Sequence, residues 1–297
     1  MTHDIDGLVA AMETVAGAME NVTVPLLVIE LAWLWDSKRL DRARLKEMAA
    51  NVSSLVVVIP AGFVGLTLWY TIFETIRDIM PFAIPVNWAT AAMCLLAVDL
   101  IYYTELRFEH THRLPWDLYH SVHHSSTEFD QTTSLRLSGF DALLTMGFLT
   151  PAVVLGFHPL LVLGSYGLVI GYQTWIHTEL IKRTPGWFVY VFDTPSHHRV
   201  HHGADPAYLD VNYGGILILW DRFFGTFQLE RQRPTYGLTT QINSSHPFDV
   251  QFSESRRLWS ELRQDHDWST RLRRLWNPPG WQPERAENQR REPVNAQ

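Results

Sequence analysis

Ser54 to Phe73 (SLVVVIPAGFVGLTLWYTIF) is a run of twenty residues with no charge. At a rise of about 1.5 Å per residue it predicts a helix long enough to cross a hydrocarbon core of about 30 Å. Pro81 to Val98 is also uncharged and is followed by Asp99 and the pair Tyr102-Tyr103, which predicts a second span ending at an interface. Ala142 to Thr178 contains no Asp, Glu, Lys or Arg. It is too long for one crossing, and Gly156 and His158-Pro159 interrupt it, so it predicts two short helices in a hairpin. Val24 to Trp35 is apolar but short and carries Glu30; an interfacial helix and a tilted first span fit it equally. Buried helices of soluble proteins rarely run this far without a charge. The pattern therefore predicts an all-α integral membrane protein with about four transmembrane helices in two hairpins.

The polar stretches divide the chain further. Residues 1–50 are expected to hold an interfacial or first membrane helix and a basic loop. Residues 51–240 hold the membrane segments and the histidine-rich blocks, and 241–297 form a polar tail. From Pro278 onward (PPGWQPERAENQRREPVNAQ) composition predicts disorder. The loop Ser37 to Lys46 holds five basic residues, Arg107 and Arg113 follow the second span, and Lys182 and Arg183 follow the hairpin. These fall on one side of the membrane if the apolar segments pair as hairpins, and the positive-inside rule makes that side cytoplasmic. The acidic N-terminus lacks the basic region of a cleaved signal peptide. A net charge of -7 over 297 residues gives no basic surface for nucleic acid. Cys94, the single cysteine, excludes internal disulfides and cysteine-based metal sites.

Histidines change the picture most. Eleven of the fourteen lie between His110 and His202. Two groups share one spacing: His120-Ser-Val-His123-His124, and His198-Arg-Val-His201-His202 with His197 before it. On a helix, positions i, i+3 and i+4 share a face, so each group can aim two or three imidazoles at one point. One His pair would be weak evidence. Two such groups on one side of a membrane are far more specific, because packed imidazoles repel when protonated and are costly to bury unpartnered. Neutral imidazole suits iron, zinc, copper and nickel. With His110 and His177 added, about eight nitrogens are on hand, enough for two metals with positions left open.

At these residues the chain resembles the fatty acid hydroxylase / sterol desaturase superfamily of membrane di-iron enzymes. The matching phrases are Asp99-Leu-Ile-Tyr102-Tyr103, His110, His120 to Ser126, Gln173 to His177, Thr194 to Gly203, YLDVNYGGILILWDRFFGTF and YGL at Tyr236 to Leu238. The later phrases look most like the branch that includes alkylglycerol monooxygenase. The resemblance implies a cytoplasmic helical cap that carries two iron ions. It also implies hydroxylation or desaturation of a lipid with O2, and electrons from a cytochrome, a ferredoxin or a reduced pterin. The ligands it implies are His110, His120, His123, His124, His177, His198, His201 and His202. His112, His197, Glu105, Glu109, Asp99 and Asn212 are candidates for a further ligand or for a partner that orients one. Phe140, Leu143, Leu144 and Phe148 are candidates for the substrate path. In one place the chain departs from the family's first box, which has histidine where Leu106 stands. Glu105, Glu109 or His112 would have to substitute, or the site works with one ligand fewer, or activity is weakened. The competing expectation is accordingly a silent homologue that keeps the metal scaffold. A metal transporter would need ligand residues within the spans, which are nearly free of them.

Overall fold

The computed structural model describes residues 2–283 and is helical, with no strands among those residues. The helices that position the site are α1 (Thr2–Asp36), α2 (Arg42–Ser53), α3 (Leu55–Ile79), α4 (Trp88–Thr111), α5 (Gly139–Leu144) and α6 (Pro159–Ile176). They are followed by α7 (Gly186–Val191), α8 (Pro195–His201), α9 (Leu219–Phe224), α10 (Pro247–Gln264) and α11 (Trp268–Trp276).

Among the described residues, two helical stretches are long and apolar enough to cross a membrane: residues 42–79, which include α3, and α4. The outward face of α3 is apolar, with Phe63 74% exposed. The second span starts at Trp88 rather than Pro81. Pro81 and Pro85 supply no amide hydrogens, and the helix begins only where Asn87 caps it. The Asn87 side chain accepts from the Thr90 amide (3.1 Å), and the Thr90 hydroxyl accepts from the Asn87 amide (3.0 Å).

The 142–178 stretch folds back on itself. Short helical turns across residues 139–154 lead to a bend at Gly156, whose φ of +96° is accessible to glycine without strain. His158 caps α6 by accepting from the Leu160 amide at 3.2 Å. Gly65 lets α3 and α5 touch, because a side chain there would collide with the Ala142 carbonyl oxygen. The core between these helices includes Phe73, Cys94, Val98, Leu149, Leu161 and Val169.

The N-terminal apolar stretch is part of one continuous helix of 35 residues. α1 runs along α6, with the Thr23 and Thr174 hydroxyls 3.0 Å apart. Buried Glu30 accepts from the Gln131 amide (2.7 Å) and the Thr178 hydroxyl. Burial with two donors accounts for a carboxylate in an apolar stretch.

The tail expected from 241 onward is not simply polar chain. α10 and α11 fold back over the histidine region, because their buried arginines and acids pair there. Arg274 holds Asp265 (2.6 Å) and Glu261 (2.7 Å), and Glu261 also holds Arg113 (2.8 Å), just beyond α4. The disorder expected from Pro278 falls largely on residues 284–297, which lie outside the described residues.

Candidate metal centre

Four local structures deliver the histidines. The last turn of α4 carries His110. A π-helical turn, Trp116–His120, runs into a helical turn, Ser121–His124. π-Turns re-aim side chains and concentrate at functional sites. This one is anchored by Arg113, which donates to Asp117 at 2.9 Å. α8 starts at Pro195, whose fixed φ suits a first helical position, and carries His198, His201 and His202 to its end. His177 follows the last residue of α6.

The eight histidines form two adjacent groups. His110, His120, His124 and His201 make one, and His123, His177, His198 and His202 make the other; within each, the ring nitrogens lie within 4.8 Å of one another. Each His-x-x-His-His box is split between them. His120 and His124, at i and i+4, serve the first group and His123 the second. His198 and His202, also at i and i+4, serve the second group and His201 the first. The groups touch where His124 and His202 stack, ring centroids 4.3 Å apart.

Outer partners fix the ring orientations. Nδ1 of His120 lies 2.8 Å from Glu109, that of His123 3.2 Å from the Arg136 carbonyl, and that of His177 2.7 Å from the Gln173 carbonyl. Nδ1 of His201 lies 3.3 Å from the Val211 carbonyl. A carbonyl can only accept, so the rings of His123, His177 and His201 carry their protons on Nδ1 and leave Nε2 bare. Yet Nε2 of His123 and Nε2 of His177 face each other at 3.1 Å. Two bare lone pairs at that distance repel, and no hydrogen bond accounts for them. His124 Nε2 is buried and has no hydrogen-bond partner. A cation between the nitrogens resolves both observations, so the donor set fits a metal ion in each group.

Burial reinforces this. It pushes His120, His123 and His201 down to about 3, with neighbouring imidazoles adding repulsion at His123 and His201. His124, His177, His198 and His202 are lowered for the same reasons. Neutral imidazole, the ligand form, is therefore the resting form at pH 7. Phe129 covers the second group, its ring 5.1 Å from His202 and 5.7 Å from His177.

The remaining candidates fall outside the two groups. His112 stacks on Phe108 (4.2 Å), and its Nδ1 meets the Phe108 carbonyl. His197 sits against Thr194, Asp193 and Phe227. Asp99 accepts from the Ile216 amide (2.6 Å) and the Trp220 indole (2.8 Å), so it ties α4 to the chain before α9 and orients no ligand. Asn212 donates to the His197 and Gln228 carbonyls and accepts from the Gln228 amide, stitching two loops together. Glu105 reaches toward the Tyr166 hydroxyl. Glu109 is the one acidic candidate in hydrogen-bond contact with a grouped histidine. Leu106 packs with Tyr103 and Tyr213, and both groups contain four imidazoles without it.

Two cavities meet the histidines. One, of about 370 Å³, borders His110, His124, His201 and His202 and is rimmed by Arg113, Glu254, Arg257 and Glu261. The other, of about 100 Å³, borders His120, His123, His177, His198 and His201. Its walls come from α4 (Tyr102, Glu105, Leu106, Glu109) and α6 (Tyr166, Ile170, Gln173, Thr174), with Ser134, Leu137 and Asp141. Phe140, Leu143, Leu144 and Phe148 do not line it. Phe140 and Leu144 are exposed, the Leu143 carbonyl accepts from the Trp69 indole at 2.7 Å, and Phe148 lies against Phe108. The α6 wall residues were legible in principle, since 166, 170, 173, 174 and 177 follow one helical face.

Removing the carboxylate beside His120 tests the outer partners. Glu109→Ala is expected to weaken metal affinity about 10- to 100-fold with the helical content unchanged, measured by chelator competition and circular dichroism. Unchanged affinity would mean that the contact is incidental.

Residues 91–226, which hold all eight grouped histidines, match the family model described as Fatty acid hydroxylase, and this part of the chain belongs to that family. Among curated proteins, the chain is 34% identical over 285 residues to alkylglycerol monooxygenase of Xenopus tropicalis, covering 92% of this chain and 61% of that protein. It is 33% identical over 265 residues to the Homo sapiens protein of the same name, with 88% and 58% covered. Ornithine lipid hydroxylase OlsE of Rhizobium tropici is 31% identical over 150 residues, covering 48% of this chain and 44% of OlsE. The chain thus spans about three fifths of the length of these two alkylglycerol monooxygenases. No solved structure matches it.

Proposed function

We propose that the chain is a membrane monooxygenase that inserts one oxygen atom from O2 into a lipid C–H bond, the other oxygen leaving as water with two electrons from an external donor and two protons from solvent. The observation that carries the reading is the pair of four-imidazole groups whose facing nitrogens are bare. Acid–base side chains cannot break a saturated C–H bond at useful rates, and a redox metal can. Two iron ions held there, one by His110, His120, His124 and His201 and one by His123, His177, His198 and His202, would supply O2 activation. The relatives' names favour hydroxylation over desaturation, and an alkylglycerol or an ornithine lipid as the kind of substrate.

The chain's own groups then have distinct parts. The Nδ1 partners hold the rings in the ligand tautomer. Phe129 and the folded-back α10 and α11 keep bulk water off the histidines. The smaller cavity lies between α4 and α6 and is the entry for a lipid chain. The larger cavity, rimmed by Arg113, Glu254, Arg257 and Glu261, suits the electron donor, whether a small reduced pterin or the edge of a cytochrome or ferredoxin.

The two hairpins, α3 with α4 and the 139–154 turns with α6, are read as a multi-pass unit. The basic residues near 37–46, 107–113 and 182–183 put the histidines on the cytoplasmic side. The silent-homologue reading rested on Leu106, and the completeness of both groups without residue 106 speaks against it.

Protein purified from membranes and loaded with ferrous iron should bind about two ions per chain. With a reductant and 18O2 it should place one labelled oxygen in an alkylglycerol or an ornithine lipid. Metal without any oxidised lipid would overturn the reading.

A further inference from the structure

We propose that α7, α9 and α11 form an aromatic collar that lies in the headgroup region of the bilayer and fixes the histidine groups at that depth. This rests on the reading that α3 and α4 cross the membrane.

The clearest segment is α11. Trp268, Leu272 and Trp276 recur every fourth residue and are 74%, 63% and 67% exposed. On a helix this spacing puts them within one narrow arc. Arg273 continues the exposed arc, whereas Arg274 points inward to Asp265. Tryptophan and leucine beside a cation, on a short helix with a polar inner face, is the composition of a helix lying in an interface. Its position agrees. The Trp276 ring lies 6.1 Å from Phe108 and 4.6 Å from His112, at the end of the α4 span.

Two other segments repeat the arrangement. In α9, Phe223 is 79% exposed while its neighbour Phe224 stacks on Tyr103 of α4 at 5.2 Å. In α7, Trp187 and Tyr190 are exposed while Phe188 packs 6.3 Å from Trp175, in the last turn of α6. The Arg222 guanidinium lies 4.5 Å over the Tyr190 ring and joins the two segments. Each exposed aromatic is therefore adjacent to a residue keyed to the final turns of α4 or α6. Those same ends carry His110 and His177. Aromatic rings concentrate at the membrane–water boundary because they are apolar in body and polar at one edge. The occupant of this face is accordingly the lipid surface, continuous with the lipid around α4, against which Phe224 and Trp276 pack. A lipid substrate would then reach the histidines without leaving the bilayer.

Spin labels test the depth. Cysteines are placed singly at Trp187, Phe223 and Leu272, with Phe63→Cys, outward-facing near the middle of the apolar run of α3, as the membrane control and Ala207→Cys as the water control. Cys94 is buried and stays in place. The full chain is reconstituted in phosphatidylcholine/phosphatidylglycerol vesicles, and collisions with O2 and with a polar nickel chelate are compared. The three collar sites are expected to favour O2 over the chelate roughly tenfold more than position 207, and less than position 63. Chelate access equal to that at 207 would overturn the collar. Protection from both probes would mean that protein covers the face, and would also overturn it. A water-accessible position 63 would instead sink the spanning reading itself, so the two failures are distinguishable.

Discussion

His124→Ala protein is expected to lose lipid oxidation entirely and to retain no more than about one tightly bound metal ion per chain. His124 is one of four imidazoles in the first group, its Nε2 has no protein partner, and its ring stacks on His202 of the second group. Its removal deletes a ligand and opens the contact between the two sites. Metal analysis by mass spectrometry and product formation from lipid measure the two effects. His112→Ala is the control. That ring lies outside both groups against Phe108 and Trp276, so the variant is expected to keep metal and activity. Undiminished metal and activity in the His124 variant would remove the basis of the proposed centre.

The two variants also mark what could be read from the sequence. Six of the eight grouped histidines were legible in the spacing of the two His-x-x-His-His boxes, and His110 and His177 were implied by the family resemblance. Their partition was not legible. The i, i+4 members go to one group and the i+3 member to the other, which only the relative placement of α4, α6 and α8 decides. Most of the atoms that orient the rings were also hidden, because the carbonyls of Arg136, Gln173 and Val211 belong to the backbone and carry no residue signature. Leu106 looked like a missing ligand. In three dimensions it fills space between Tyr103 and Tyr213 and borders the smaller cavity. The start of α4 was misread for a different reason: an uncharged stretch does not distinguish helix from connection, whereas Pro81, Pro85 and the Asn87 cap do. α11 has a clean helical period in Trp268, Leu272 and Trp276. It was obscured by the charge around it, and its buried inner face depends on Arg274 finding Asp265 and Glu261.

Acid should undo the metal-free protein before anything else does. Burial lowers His120, His123 and His201 from 6.5 to about 3. Between these values the unfolded chain takes up protons that the folded chain refuses. Each such histidine therefore withdraws about 1.4 kcal/mol of stability per pH unit below its ordinary value. These three alone withdraw about 6 kcal/mol at pH 5, comparable to the whole stability of many domains. Above pH 7 these three histidines are neutral in both states and add no further pH dependence. Bound metal competes with protons for the same nitrogens, so the loaded protein is expected to hold its fold to lower pH. Melting temperatures in detergent from pH 8 to pH 4, with and without ferrous iron, measure both limbs. The expected outcome is a steep fall for the metal-free protein below about pH 6.5 and a later one for the loaded protein. A metal-free melting temperature unchanged from pH 8 to pH 5 would mean that these imidazoles are solvated and not packed against one another, and a set of solvated rings would not hold two ions side by side.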